Sequence, residues 1–450
     1  MIMSNSDPAS VESLLQEFPI CKQAYKIGEK DVLLGLLHTK YEGLVNIVDA
    51  ITAVRSKGLS ASVPSNREKI IALLDCRRRC EEIRSLNPPS ASGLPDRPVN
   101  MDEVSTLLRL HDIAIFFMNE YCKSPFRLAW DSRKRIDRPS HLSKTEKIRF
   151  LRALYRWQIF ANIFGPTERP VEKGQLQRCQ DEVMWEDEII SNFTEDERWH
   201  LFFGTMPPWE VAEIWCVWQY FHHSYQAPYI DLELSLLKWG DANLAFVSES
   251  ERIPANCVVE RANDLFQCGR TVIPCLVAMG PEFFYRFLQM NCRDRRDLIL
   301  VNARAVQYYV SECWFPSRVL PLLHPAEQFN FGDDFARLEE RLATLPEHAG
   351  PNLAFKCYWP IVQKDQSFDD RLFNGEFGYL LGYRQWDWGY ALWDADRLTE
   401  WEVPLDSETI IEKFKRTQTE DYIWDIWHCH RSEPGVLWNY LQRSDIRNST

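Results

Sequence analysis

The sequence predicts a mainly α protein, a multi-helix globular body with a small, Trp-rich, mixed region at its C-terminal end. Three observations predict it. Apolar residues recur at three- and four-residue spacing over long stretches, and helix-start signals precede several of them. Alternating, strand-like runs are few and short, the best being "CVV" at 257–259, "LAFKCYW" at 353–359 and "YALW" at 390–393.

In chain order, residues 8–55 carry helical spacing through Val11, Leu14, Leu15 and Phe18, then Val32, Leu33, Leu36 and Leu37. "SKGLSASVPSN" breaks this region, and a helix over about 67–85 follows. "SLNPPSASGLPDRPVN", with four prolines, reads as a linker. A helix over 101–122 precedes a basic loop, "SRKRIDRPSH". Ser143 and Glu146 then stand in capping-box spacing, where each side chain satisfies a free backbone N–H at a helix start. The helix they open has two apolar stripes, Ile148, Leu151, Tyr155 and Ile159 beside Phe150, Leu154, Trp157 and Phe160, so it is expected between neighbours. Arg149, Arg152 and Arg156 take its remaining surface and read as a solvated or salt-bridged edge. Pro208 suits the first turn of a further helix with Val211, Ile214, Trp215 and Trp218 on one face, and helical text continues over 257–312.

A chain of 450 residues, 45% hydrophobic and 26% charged, has material for a large core and about two to three domains. The punctuation suggests an N-terminal helical region over 1–85, a helical core over 100–325 and a Trp-rich region over 326–450, packed on that core. The N-terminal text resembles neither a secretory signal nor a transit peptide, and the longest uncharged run falls short of a membrane span. Thirteen scattered cysteines read as reduced, mostly buried thiols. The expected location is intracellular, cytoplasmic or nuclear, with no membrane partner.

A net charge of −13 opposes binding to phosphate backbones. Residues 131–156 carry nine Lys or Arg against three carboxylates, while 181–197 carry eight carboxylates and no Lys or Arg. The expectation is that the two segments neutralise one another, not that the first binds nucleic acid, because it has no recognised binding motif.

Catalytic signatures are missing. The chain has no G-x-x-x-x-G-K-S/T loop, no G-x-G-x-x-G turn after a strand, no G-x-S-x-G elbow, no H-E-x-x-H and no paired C-x-x-C knuckles. His428, Cys429 and His430 are the best metal-like cluster, but a site needs further ligands that no spacing supplies, so neither metal nor cofactor is expected. Cys76 and Cys80 flank three arginines without a nearby histidine, a poor arrangement for a catalytic thiol.

The most unusual stretch is "GYRQWDWGYALWDADRLTEWE", 382–402, within a final hundred residues that hold eight of the 17 tryptophans. Trp386, Trp388, Tyr390, Trp393, Asp394 and Arg397, with Trp215, Trp218 and His222 from the 207–223 helix, form the candidate binding surface. Arg397, beside Trp393, Asp394 and Asp396, is expected to supply both a salt bridge and a stacking cation. The competing expectation is a structural corner that locks the C-terminal segment onto the helices, since tryptophan favours cores with polar edges.

"HLSKTEKIRFLRALYRWQIFANIFG" (141–165), "PPWEVAEIWCVWQY" (207–220) and "WGYALWDADRLTEW" (388–401) resemble the recurring blocks of a large family of uncharacterised filamentous-fungal proteins, often described as F-box-like. "SDPASVESLLQEFPICKQAYKIGEKDVLLGLL" resembles the portion after the first F-box helix. The resemblance implies a protein-interaction role, with the Skp-family adaptor of a cullin ligase as one partner. The leading F-box helix that would anchor that adaptor has no counterpart in "MIMSNSDPASV", which argues against adaptor docking. The resulting expectation is a non-enzymatic interaction or scaffold module of F-box-like descent that binds another protein. Its rival is an enzyme or small-molecule binder with an aromatic, carboxylate-containing pocket near 386–401.

Overall fold

The computed structural model describes residues 8–41, 44, 47–86, 98–124, 126–128, 131–137, 139–168, 192–240, 273, 276–291, 294–295, 298–299, 302, 350–357, 388–406 and 409. Most of these residues are helical, as the periodicity predicts.

The chain opens with α1 (Pro8–Glu17) and α2 (Pro19–Tyr41). Helical hydrogen bonds run through their joint, Phe18 N–H donating to Leu14 O at 3.1 Å and Lys22 N–H to Phe18 O at 3.2 Å. Pro19, without an N–H, interrupts the series. Gly28, at φ −110° and ψ 20°, kinks α2. After the kink Val32, Leu33, Leu36, Leu37 and Tyr41 are buried; before it Phe18, Ile20 and Ile27 are 47%, 77% and 87% exposed.

Next come α3 (Ile47–Arg55), α4 (Arg67–Leu86) and α5 (Met101–Lys123). Asn100 caps α5 by accepting the Glu103 N–H at 2.8 Å. The linker expected around 85–100 lies mostly outside the described residues. The first half of the stretch read as a basic loop, 132–141, instead belongs to the second strand of an antiparallel hairpin, β1 (Phe126–Leu128) with β2 (Asp131–Ile136), irregular between Arg127 and Leu128. Its dense charge hid the strand, because pairing between neighbouring segments, not hydrophobic alternation, defines it.

The centre of the fold is α6 (Lys144–Phe164), and its capping box is present, Ser143 N–H donating to Glu146 Oε2 at 2.9 Å and Glu146 N–H to Ser143 Oγ at 3.1 Å. Phe150, Leu151, Leu154, Tyr155, Trp157, Ile159 and Ile163 are all buried. Such burial on every side is what two apolar stripes require of a helix between neighbours. Those neighbours are α3, α5, α8 (Pro208–Gly240) and α9 (Pro281–Gln289). A short α7 (Glu195–Leu201) precedes α8, and α10 (Ala395–Glu400) lies near the end of the described residues. Phe117 of α5 meets Phe221 of α8 at 4.7 Å and Phe284 of α9 at 5.7 Å, joining three helices through ring contacts.

Two strand expectations fail. Residues 353–357 are helical and 388–392 form a turn, so "LAFKCYW" and "YALW" are not strands where they are described. Gly389 sets that turn at φ +76°, and a Cβ there would strike the Tyr121 hydroxyl. "CVV" lies outside the described residues. No helix among the described residues is long and apolar enough to cross a membrane.

Candidate functional site

The candidate residues of the Trp-rich stretch sit against the N-terminus of α6. Asp394 accepts hydrogen bonds from Ser143 Oγ, from Thr145 Oγ1 at 2.6 Å and from Arg149 Nη1 at 2.7 Å. In return, Glu146 accepts the Asp394 backbone N–H at 3.1 Å and binds Arg397 through Nε at 2.7 Å and Nη2 at 2.9 Å. Glu146 therefore accepts the backbone N–H of the residue that caps each of two helices, Ser143 before α6 and Asp394 before α10. Two carboxylates placed where two helix N-termini meet are favoured by both dipoles. Two guanidiniums balance them.

Beneath this clasp the aromatic groups are enclosed. Trp388 and Trp393 are fully buried and Tyr390 nearly so. Trp393 stacks on Tyr121 at 5.6 Å and donates its indole N–H to Trp388 O at 2.6 Å. Asn352 donates to Tyr390 O at 2.5 Å and to Trp393 O at 2.9 Å, while its own oxygen takes the Phe355 N–H at 2.9 Å. Arg397 lies over the rings of Trp393 and Trp401 at 5.9 and 5.8 Å. It is the stacking cation expected from sequence, but its carboxylate partner is Glu146, and Asp394 pairs with Arg149 instead. Trp388, Tyr390 and Trp393 thus line a packed corner and present no open binding surface. Trp386 lies outside the described residues.

On α8, Trp215 is half-buried, packs edge-on to Trp218 at 5.7 Å, and Trp218 stacks on His222 at 5.1 Å. Other residues of α8 reach the corner. Tyr220 meets Tyr121, which stacks on Trp393, and Trp209 meets Phe355, which stacks on Tyr390.

The three arginines of α6 decide between the two alternatives of a second expectation in favour of salt bridges. Arg149 and Arg156 are 4% and 2% exposed, so they form a buried seam and not a solvated edge. Arg156 binds Asp49 at 2.9 Å and Glu210; Arg77 binds the other Asp49 oxygen at 2.7 Å. Arg152 grips both oxygens of Glu213, at 2.6 and 2.9 Å, and reaches Glu210 at 3.1 Å. These partners come from α3, α4 and α8, not from 181–197, whose described Glu197 pairs with Arg67. Residues 181–191 lie outside the described residues.

Burial alone would raise the carboxyls of Asp49, Glu210 and Asp394. Arg156 and Arg77 at Asp49, Arg152 and Arg156 at Glu210, and Ser143, Thr145 and Arg149 at Asp394 outweigh it, holding each below the usual carboxylate range. At Glu213 burial prevails over Arg152 and the carboxyl is pushed up. The arrangement binds elements together chemically: its lowered carboxylates stay ionised near neutral pH and are already saturated with donors, a poor state for proton transfer. Among the described residues no group of three or more His, Cys, Asp or Glu is placed to hold a metal ion, and 428–430 lies outside them.

Sequence reasoning found Ser143, Glu146 and the arginine spacing, but missed Asp49, Arg77, Glu210, Glu213, Asn352 and Tyr121. Nothing local marks them; Asp49 and Arg156 are 107 positions apart. No family model, curated protein or solved structure matches this chain.

Proposed function

We propose that the chain is a non-enzymatic, intracellular protein-interaction or scaffold module of F-box-like, filamentous-fungal descent. One observation carries the reading. The carboxylates, guanidiniums and tryptophans that would build a reactive pocket are spent on one another inside the corner and the seam, while Phe18 at the α1–α2 joint and Ile20 and Ile27 on α2 stand exposed. Ile20 and Ile27 stand two turns apart on one face of α2, and large exposed apolar side chains so placed are the feature by which helices engage protein partners. The resemblance of 6–37 to the portion after the first F-box helix supports the same role.

The test is affinity purification of the tagged chain from a filamentous fungus beside its Ile20→Ser/Ile27→Ser counterpart, with mass spectrometry of both. The reading expects a specific protein with the first and its loss with the second. Recovery of the cullin-ligase adaptor would identify the partner as the one implied by the resemblance. A retained small molecule, with no specific protein in either sample, would replace this reading with that of a ligand binder.

A further inference from the structure

The first half of α2 is exposed, and its second half lies against α5. What fastens that second half is a buried polar chain that crosses three helices. Tyr41 of α2 donates its hydroxyl to Leu107 O at 2.7 Å. A carbonyl only accepts, so the single Tyr41 proton is committed there. Tyr155 of α6, 3.0 Å from the Tyr41 oxygen, must then donate to it. With the Tyr155 proton also committed, its oxygen accepts from His111 Nδ1 of α5, 3.0 Å away. The direction of every bond therefore fixes His111 as the Nδ1–H tautomer.

We infer that His111, Tyr155 and Tyr41 form an acid-sensitive catch that holds the second half of α2 on the helical body. His111 is 2% exposed, its ring 4.5 Å from that of Tyr41. A second proton on the imidazole would place a cation in this enclosure. The charged and titratable groups facing it are Lys40 and Tyr41 from α2, Asp112 from α5 and Tyr155 from α6. Lys40 opposes a second positive charge, and Asp112, which favours one, is engaged with Lys40 at 2.5 Å. Burial pushes both tyrosine hydroxyls well above their ordinary range, so neither titrates in competition.

The sign follows from the direction of the shift. Burial first, then Lys40, lowers His111 from 6.5 to about 4. Once α2 lifts, water reaches the imidazole and its ordinary affinity for a proton returns. Well above pH 6.5 the imidazole is neutral in both states and the catch is at full strength. As pH falls from there toward 4, only the lifted state takes up the proton. The equilibrium constant for lifting is then about 30-fold larger at pH 5 than at pH 8. Lifting would uncover Leu33, Leu36 and Leu37, so acid converts a covered apolar face into an available one.

The experiment is hydrogen exchange of the full chain from pH 8 to pH 5, corrected for the intrinsic pH dependence of exchange, comparing peptides of α2 with peptides of α6. The expected result is a rise of about 30-fold in α2 opening without a matching rise in α6. In His111→Asn, whose amide nitrogen, bonded to Cγ as Nδ1 is, still donates to Tyr155 but does not titrate, α2 opening should be flat. A flat wild-type profile, an equal rise in the variant, or a rise shared by α6 would each overturn the inference. Should the variant fail to fold, histidine-labelled NMR of the wild type decides: a neutral, Nδ1-protonated His111 at pH 5 supports the catch, and a cationic one removes it.

Discussion

Replacing Asp394 with Asn tests whether the corner is held by its carboxylate. The side chain accepts from Ser143, Thr145 and Arg149, and Arg149 is almost wholly buried beside it. The Asn keeps the volume and one acceptor but loses the charge opposite Arg149. A hydrogen bond to a charged group contributes about 1.5–3 kcal/mol, and losing one partner of a buried ion pair costs about 3–5 kcal/mol. The Asp394 side chain is 27% exposed, which places the expected cost at the low end, roughly 3 kcal/mol. Only the corner depends on this carboxylate, so the effect should be local. Hydrogen exchange over 388–403 should show opening increased roughly 100-fold, the equivalent of that energy, with peptides of the C-terminal half of α6, beyond the Asp394 contacts, little changed. Asp396→Asn is the control, because Asp396 is exposed on the same turn and its change should stay within about 0.5 kcal/mol. If Asp394→Asn protects 388–403 as well as Asp396→Asn does, the carboxylate does not hold the corner and the reasoning is wrong.

Trp393→Ala should destabilise the protein by about 3–5 kcal/mol in urea unfolding, because the ring is fully buried, whereas Trp215→Ala, half-buried, should cost clearly less. Arg156→Met leaves Asp49 with one guanidinium and Glu210 short of a partner. The expected loss is about 3–5 kcal/mol by the same assay, and a change below 1 kcal/mol would show that the seam is not needed. The pH dependence has a fixed sign. Asp49, Glu210 and Asp394 lie below their unfolded values, so their contribution is complete above the ordinary carboxylate range and is lost as pH falls through their lowered values. Glu213, pushed up, acts oppositely: it costs stability at neutral pH and the cost is relieved on protonation. Thermal unfolding from pH 7 to pH 3 should therefore show a net fall, because these three carboxylates and His111, whose lowered value has the same sign, act against Glu213 alone. Glu213→Gln should steepen the fall between pH 7 and pH 4 by removing the opposing contribution.

The helices were legible in the sequence because helix formation is governed by residues three and four positions apart. Val32 to Leu37, the Ser143–Glu146 box and the double stripe of 148–160 each carry their own evidence within a few turns. The same locality explains the failures. "YALW" alternates like a strand, but Gly389 and the Tyr121 hydroxyl beneath it make it a turn, and Tyr121 is remote in sequence. Arg149, Arg152 and Arg156 were visible as a row, yet whether the row faced water or carboxylates depended on Asp49, Glu210, Glu213 and Asp394, none of them on α6. The sequence by itself determined a mainly helical chain, the extents of α4, α5 and α6 and an unusual aromatic concentration near its end. Only the tertiary structure decided that Trp388 and Trp393 are sealed, that Arg397 turns to Glu146 and that His111 must point its proton at Tyr155. Those outcomes depend on burial and on pairing across long stretches of chain, where the free energy of a polar group is set by what surrounds it and not by its neighbours in sequence.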